Sequence, residues 1–267
     1  MLKQVAVVIP FYRDTISAYE QVALQQCERV LSNYPKIAIK PASLTLPDVA
    51  GIIALAQTTS FNNDYFKSIA GYNRLMLSAE FYEQFTEYEY ILVYQADAFV
   101  FRDGLSQWCS QDWDYIGAPW IRRATVKNPL KGLTLKVQQL LSTKFDLEKR
   151  GVPNKYQFEN RVGNGGLSLR RVKPFYDICV SMQPQIETYL AETAHQYNED
   201  AFWSIEVNRN KKVLNIPDWK TGLKFAFETY PQHAYNLNGQ QLPFGCHDWD
   251  RYADYWRPIF KDFGYEI

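Results

Sequence analysis

The chain has 267 residues, with 29 Lys and Arg against 29 Asp and Glu, 46% hydrophobic and 22% charged. That composition excludes a disordered chain and suits a globular protein with a sizeable core. A net charge of zero removes the broad attraction that drives non-specific nucleic-acid binding, so no nucleic-acid partner is expected. Aromatic residues reach 16%, a surplus that either fills the core or lines a groove. Cys27, Cys109, Cys179 and Cys246 form no CxxC pair, which reads as reduced, buried thiols of a cytoplasmic protein. No apolar run approaches the roughly 18 residues that span a bilayer.

In chain order, Val5–Ile9 is a β-branched run closed by Pro10, the pattern of a central strand buried on both faces, not of a signal peptide. A helix follows, with Asp14 or Thr15 available as cap and Val22, Leu24, Val30 and Leu31 as its apolar positions, until Asn33-Tyr34-Pro35 stops it. Lys36–Lys40 alternates as a second strand, 52–57 offers a third, and 65–85 reads as one long amphipathic helix. Tyr90–Tyr94 is another buried strand, ending at Gln95-Ala96-Asp97. This alternation predicts an α/β protein with a mostly parallel, Rossmann-like central sheet flanked by helices. No Pro/Ser-rich linker interrupts it, so residues 1–267 are expected to form one domain. Ligands of such sheets bind beyond the carboxyl ends of strands, where Pro10-Phe11-Tyr12-Arg13 and Gln95-Ala96-Asp97 lie.

Residues 121–161 break the charge balance: ten basic side chains against Asp146, Glu148 and Glu159 give a net +7, leaving −7 for the remainder. Within them Leu133, Leu135, Val137, Leu140 and Leu141 stand among Lys131, Lys136 and Lys144. A basic amphipathic stretch of this kind is either a solvated flap or a peripheral contact for an anionic membrane.

Four further clusters carry candidate chemistry. Asp97, at the end of a buried strand, serves either as a cap or as a ligand to a divalent cation. Val162-Gly163-Asn164-Gly165-Gly166 places three glycines in four positions, suited to a tight turn or to close approach of a ligand. Asn198-Glu199-Asp200 sets two acids where a helix begins; capping needs one, leaving the other for base chemistry. Pro243-Phe244-Gly245-Cys246-His247-Asp248 is either a structural turn or the source of a metal-binding His247 with Asp97 as partner.

The order of Tyr94-Gln95-Ala96-Asp97, Tyr115-Ile116-Gly117-Ala118-Pro119-Trp120, Gly163-Asn164-Gly165-Gly166-Leu167-Ser168-Leu169-Arg170 and Pro243-Phe244-Gly245-Cys246-His247 resembles a family of A-type-fold, nucleotide-sugar glycosyltransferases found with surface-polysaccharide genes. The resemblance implies a single A-type domain and transfer of a sugar from a nucleotide diphosphate sugar, a UDP-sugar first, to a hydroxyl of a glycan or lipid-linked glycan. It implies that Asp97 is the last acid of an Asp-x-Asp motif and, with His247, ligates Mn²⁺ or Mg²⁺. Gln95 replaces the first acid, which weakens the case for strict metal dependence. It further implies that Asn164, Gly165 and Gly166 line the donor and acceptor pocket, that Pro10, Tyr12 and Arg74 serve the nucleotide, and that Asp200 is the general base of an inverting reaction, with Glu199 as substitute. A retaining reaction and a non-catalytic carbohydrate-binding role stay open. A sugar-1-phosphate nucleotidyltransferase is disfavoured, because no glycine follows the first strand.

Overall fold

The computed structural model describes residues 2–49, 51–124 and 128–267; Lys127, one of the ten basic residues of the +7 segment, lies outside them. At its centre is a six-stranded sheet in the order Leu55–Phe61, Lys36–Pro41, Lys3–Pro10, Tyr88–Tyr94, Leu167–Arg171, Tyr115–Gly117. The first four run parallel, and Leu167–Arg171 runs antiparallel to both its neighbours. The mostly parallel α/β sheet is therefore as expected, with one reversed strand inside it.

Pleating sends successive side chains of the central strands to opposite faces, and helices cover both. Ala6 and Val8 join one apolar cluster with Phe81, Phe175 and Trp203. Val5, Val7 and Ile9 join another with Leu24, Tyr94 and Leu105. A third cluster stacks Phe99, Trp249, Trp256 and Phe260 against a small sheet made of Phe99–Val100, Gly245–Cys246 and Ala226–Phe227. Most of the aromatic surplus is spent in these cores, where Trp203, Trp249, Trp256, Tyr82 and Tyr94 are fully buried. All four cysteines are free and buried.

Several local expectations are corrected. The first helix, Ala18–Val30, is capped by Ser17 and not by Asp14 or Thr15: Ser17 and Glu20 form a reciprocal capping box that satisfies two backbone N–H groups at once. Lys36–Pro41 is buried on both faces and does not alternate, because Lys36 hides its ammonium against Glu28 at 3.1 Å. The third strand starts at Leu55 and runs to Phe61 at the sheet edge. The long helix over 65–85 is broken into a 3₁₀ turn Asn63–Phe66 and helices Ile69–Met76 and Ala79–Glu83. Ser68 and Ser78 each accept a bond from the N–H three residues on, at Gly71 and Phe81, so each restarts a helix where apolar periodicity alone reads straight through.

The topology explains why the polar clusters meet. Lys3–Pro10 and Tyr88–Tyr94 are parallel neighbours, so Tyr12 and Gln95 emerge at the same edge. Leu167–Arg171 is antiparallel to Tyr88–Tyr94, so its entry loop, 163–166, arrives at that edge too, and the Gln95 N–H donates to the Gly166 carbonyl at 2.9 Å. In the small sheet, Gly245–Cys246 pairs antiparallel with Phe99–Val100, which brings His247 back beside Asp97.

Candidate active site

His247 is the hub. Its Nε2 lies 3.1 Å from Asp97 Oδ1 and 3.1 Å from Gln95 Oε1, so three donor atoms from two strand ends converge. Its Nδ1 is buried without a hydrogen-bond partner among the described residues, 3.9 Å from Glu228 Oε1. Burial would lower the imidazole pKa, but Asp97 and then Glu228 outweigh it and push it up to about 10. Asp97 shows the converse: burial opposes its charge, yet His247 holds the carboxyl below the ordinary range. Asp97, Asp248 and Asp250 also bring carboxylate oxygens within 4.8 Å of one another. An imidazole nitrogen beside carboxylate and amide oxygens, with no thiolate, is a donor set suited to Mn²⁺ or Mg²⁺. These residues fit such an ion, which would displace the proton that Asp97 and Glu228 favour on His247.

The glycine loop is shaped by what it must clear. A Cβ on Gly166 would stand 1.9 Å from His247 Nε2, and one on Gly165 would stand 2.2 Å from Glu199 Oε1. Asn164 holds the loop: its Oδ1 accepts from the Gly166 N–H at 2.9 Å and its Nδ2 donates to Glu228 at 2.6 Å. Glu228 thus links the loop to His247.

Beneath the loop, the fully buried Arg170 grips Glu199 as a fork, Nη1 to Oε2 at 3.1 Å and Nη2 to Oε1 at 3.0 Å, and also donates to Tyr82 and Ser168. Both oxygens of Glu199 are therefore engaged. Asp200 is not gripped in this way; its Oδ1 accepts only the adjacent Ala201 N–H, at 2.8 Å, among the described residues. Burial first, then the negative charges of Glu199 and Glu228, raise the Asp200 carboxyl well above its ordinary pKa. Asn73 pins this segment, donating to Asn198 and accepting from the Glu199 N–H. After one α-turn at Glu199–Ala201 the helix widens to a π-turn over Phe202–Glu206, a form that concentrates at functional sites.

Two neighbouring cavities share Tyr12 and Gln95. The larger, about 470 Å³, is lined by Tyr12, Tyr72, Asn73, Gln95, Asn164, Gly165, Gly166, Asn198, Glu199, Asp200 and His247. The smaller, about 300 Å³, is lined by Tyr12, Arg13, Tyr19, Glu20, Gln95, Asp97, Trp249 and Asp250, with Arg13 paired to Glu20 at 2.8 Å. The structure therefore gathers every expected site residue except two. Pro10 is buried at its strand end and lines neither cavity. Arg74 lies exposed in the last turn of its helix and lines neither.

A family model described as "Protein of unknown function (DUF5672)" matches residues 56–247, well over half of the chain. This chain belongs to that family. The matched span ends at His247 and covers Gln95, Asp97, the glycine loop, Glu199 and Asp200 of this chain, while Pro10 and Tyr12 fall before it and Asp248 and Asp250 after it. No curated protein matches the chain in sequence. Among solved structures, mouse xyloside xylosyltransferase 1 in its apo form is 10% identical, with 92% of this chain and 97% of that chain covered at a TM-score of 0.50. An active-site mutant of the galactosyltransferase LgtC is 16% identical, with 91% and 86% covered at a TM-score of 0.50. At such identities the likeness is one of fold, and the fold is that of A-type glycosyltransferases.

Sequence reasoning missed Arg170, Asn73, Tyr72, Glu228, Asp248 and Asp250. The strand Leu167–Arg171 alternates Leu with Ser168 and Arg170, which reads as an ordinary polar face and hides the first, whereas the alternation His247-Asp248-Trp249-Asp250 is a readable signal for the last two. Glu228 carries no local signal; only the pairing of Ala226–Phe227 with Gly245–Cys246 places it behind His247.

Proposed function

We propose that this protein is a glycosyltransferase that moves a sugar from a nucleotide diphosphate donor, a UDP-sugar, to a hydroxyl of a glycan or lipid-linked glycan. The observation that carries this reading is the convergence of Gln95, Asp97 and His247 between two cavities that share Tyr12. The smaller cavity, with the rings of Tyr12 and Tyr19 and with Asp97 at its edge, suits a nucleoside whose diphosphate reaches the ion; the larger, under the glycine loop and beside Asp200, suits the sugar and the acceptor.

Mn²⁺ or Mg²⁺ held by Asp97 and His247, with Gln95 as a neutral oxygen ligand, would offset charge on the departing diphosphate. The chain's own groups account for the rest. Gly165 and Gly166 leave the space that a side chain would fill, so a sugar ring can approach the backbone. An acceptor hydroxyl is too weakly acidic to attack unaided, and Asp200, whose raised pKa makes it the stronger base once ionised, takes that proton in an inverting displacement. Glu199, spent on Arg170, positions the neighbouring backbone and is not the base.

Calorimetric titration with UDP, in Mn²⁺ and in EDTA, tests the donor and metal assignment. Binding is expected in Mn²⁺ and weaker in EDTA or in Asp97→Ala. A wild-type protein that ignores UDP in both buffers, or binds another nucleotide far more tightly, overturns the donor.

A further inference from the structure

The +7 segment is an excursion from the sheet, closed at its base where Pro119–Trp120 pairs antiparallel with Arg161–Val162. Its body is the helix Pro129–Lys144. That helix is turned opposite to the usual sense: its polar side faces the protein and its apolar side faces water. Gln139 donates to the Glu159 carbonyl at 2.6 Å, and Thr143 accepts from Arg161 at 2.9 Å and, through its carbonyl, from Arg209 at 2.6 Å. Outward stand Leu130, Leu133, Val137, Leu140 and Leu141, with Phe145 just beyond; Leu130 is 76% exposed and Leu133, Leu140 and Phe145 are each at least 60% exposed. At 3.6 residues per turn, positions 130, 133, 137, 140 and 141 share one stripe, which Lys131 and Lys136 flank on opposite sides. Lys131, Lys136, Lys144, Lys149 and Arg150 form no ion pair among the described residues, whereas Arg122 is held by Glu159.

We propose that this helix docks the protein on an anionic phospholipid surface, its leucines entering the headgroup boundary and its lysines meeting the lipid phosphates. Unpaired lysines bordering an exposed apolar stripe complement such a surface in both respects. A second copy packed on the same face would set two segments of net +7 against each other. At 16 residues, with its apolar side only a stripe, this helix lies along the surface and does not cross it. The chain leaves the excursion at Val162 and enters the glycine loop at the next residue. Docking therefore holds that loop near the lipid and, on the transfer reading above, favours acceptors carried on lipid.

The test is flotation of the full chain with vesicles of phosphatidylcholine alone or mixed with phosphatidylglycerol, across a salt series. Binding is expected only to the anionic vesicles and is expected to weaken with salt. A lysine near an anionic leaflet is worth roughly five-fold in partitioning, so the triple change Lys131→Glu, Lys136→Glu, Lys144→Glu should weaken binding on the order of a hundred-fold or more. Leu133→Ser with Leu140→Ser, both on the exposed side, should also weaken it. UDP binding by either variant should equal wild type, which separates a failure of docking from a failure of the transfer reading. Wild-type protein that stays off anionic vesicles at low salt overturns the proposal, as does binding that both variants retain. Sedimentation showing a dimer that the leucine variant dissociates would assign the stripe to a second copy instead.

Discussion

Asp200 and Glu199 are adjacent acids with opposite fates, and the difference lies in what each faces. Glu199 meets a buried guanidinium that satisfies both its oxygens, whereas Asp200 faces a cavity and two other carboxylates. Its folded pKa is raised above the unfolded value, so its contribution to stability is present below about pH 4 and is lost as pH rises through the folded value. Asp200→Asn keeps an oxygen for the Ala201 N–H and removes the charge. It should therefore raise the melting temperature at neutral pH while lowering transfer by about 10²–10⁴-fold. In the wild type, the acid limb of the kcat/KM profile should lie above the ordinary carboxylate range, and Glu228→Gln should move it to lower pH by removing one of the charges that raise it. Differential calorimetry and a pH–rate series check the two halves. An unchanged profile in Glu228→Gln, or full activity in Asp200→Asn, would place the base elsewhere.

At the scale of elements, the site is a meeting of ends, and its rigidity depends on bonds between elements. The strand Leu167–Arg171 is tied to the helical turn Glu199–Ala201 through Arg170 and Glu199, both essentially removed from water. Taking away one charge of a buried pair strands the other, at a cost of about 3–5 kcal/mol. Glu199→Gln should accordingly lose that much stability by denaturant unfolding, far more than Asp200→Asn, and its activity should fall with the folded fraction. A stable, inactive Glu199→Gln would instead make Glu199 the base. The same scale explains why the helix over 65–85 is broken. Apolar spacing records which face is buried but not where Ser68 and Ser78 hand the backbone hydrogen bonds to a new helix.

For the molecule as a whole, the charge that sums to zero is divided: the excursion at 121–161 carries +7, and the acids Asp97, Asp248 and Asp250 cluster beside His247. An ion that binds only the folded state stabilises it by mass action, by about 2.7 kcal/mol at a hundred times its Kd. In a protein of this size that corresponds to roughly 5–10 °C in melting temperature. Mn²⁺ should therefore raise the melting temperature of the wild type, and should leave Asp97→Ala and His247→Ala nearly unmoved. An equal rise in all three proteins would mean that the ion binds elsewhere.

The sequence by itself determined the α/β alternation, the central strands, the buried thiols, and the short segments from which nearly all of the site is built. Each of these is a local property: β-branched runs, strand-ending polar clusters and glycine spacing are legible wherever they lie in the chain. The tertiary structure decided which of those segments meet and what each residue does there. The reversed strand brings Gly166 to Gln95, and the small sheet brings His247 to Asp97 and Glu228 to His247. It also spent Glu199 on Arg170, 29 residues away in the chain, and left Arg74 in solvent, because ion pairing and exposure follow from packing between separate elements, which no local pattern encodes. The helix Pro129–Lys144 shows the division most plainly. Its amphipathic character is written in its spacing, but only its polar contacts to Glu159, Arg161 and Arg209 decide that the apolar side faces outward.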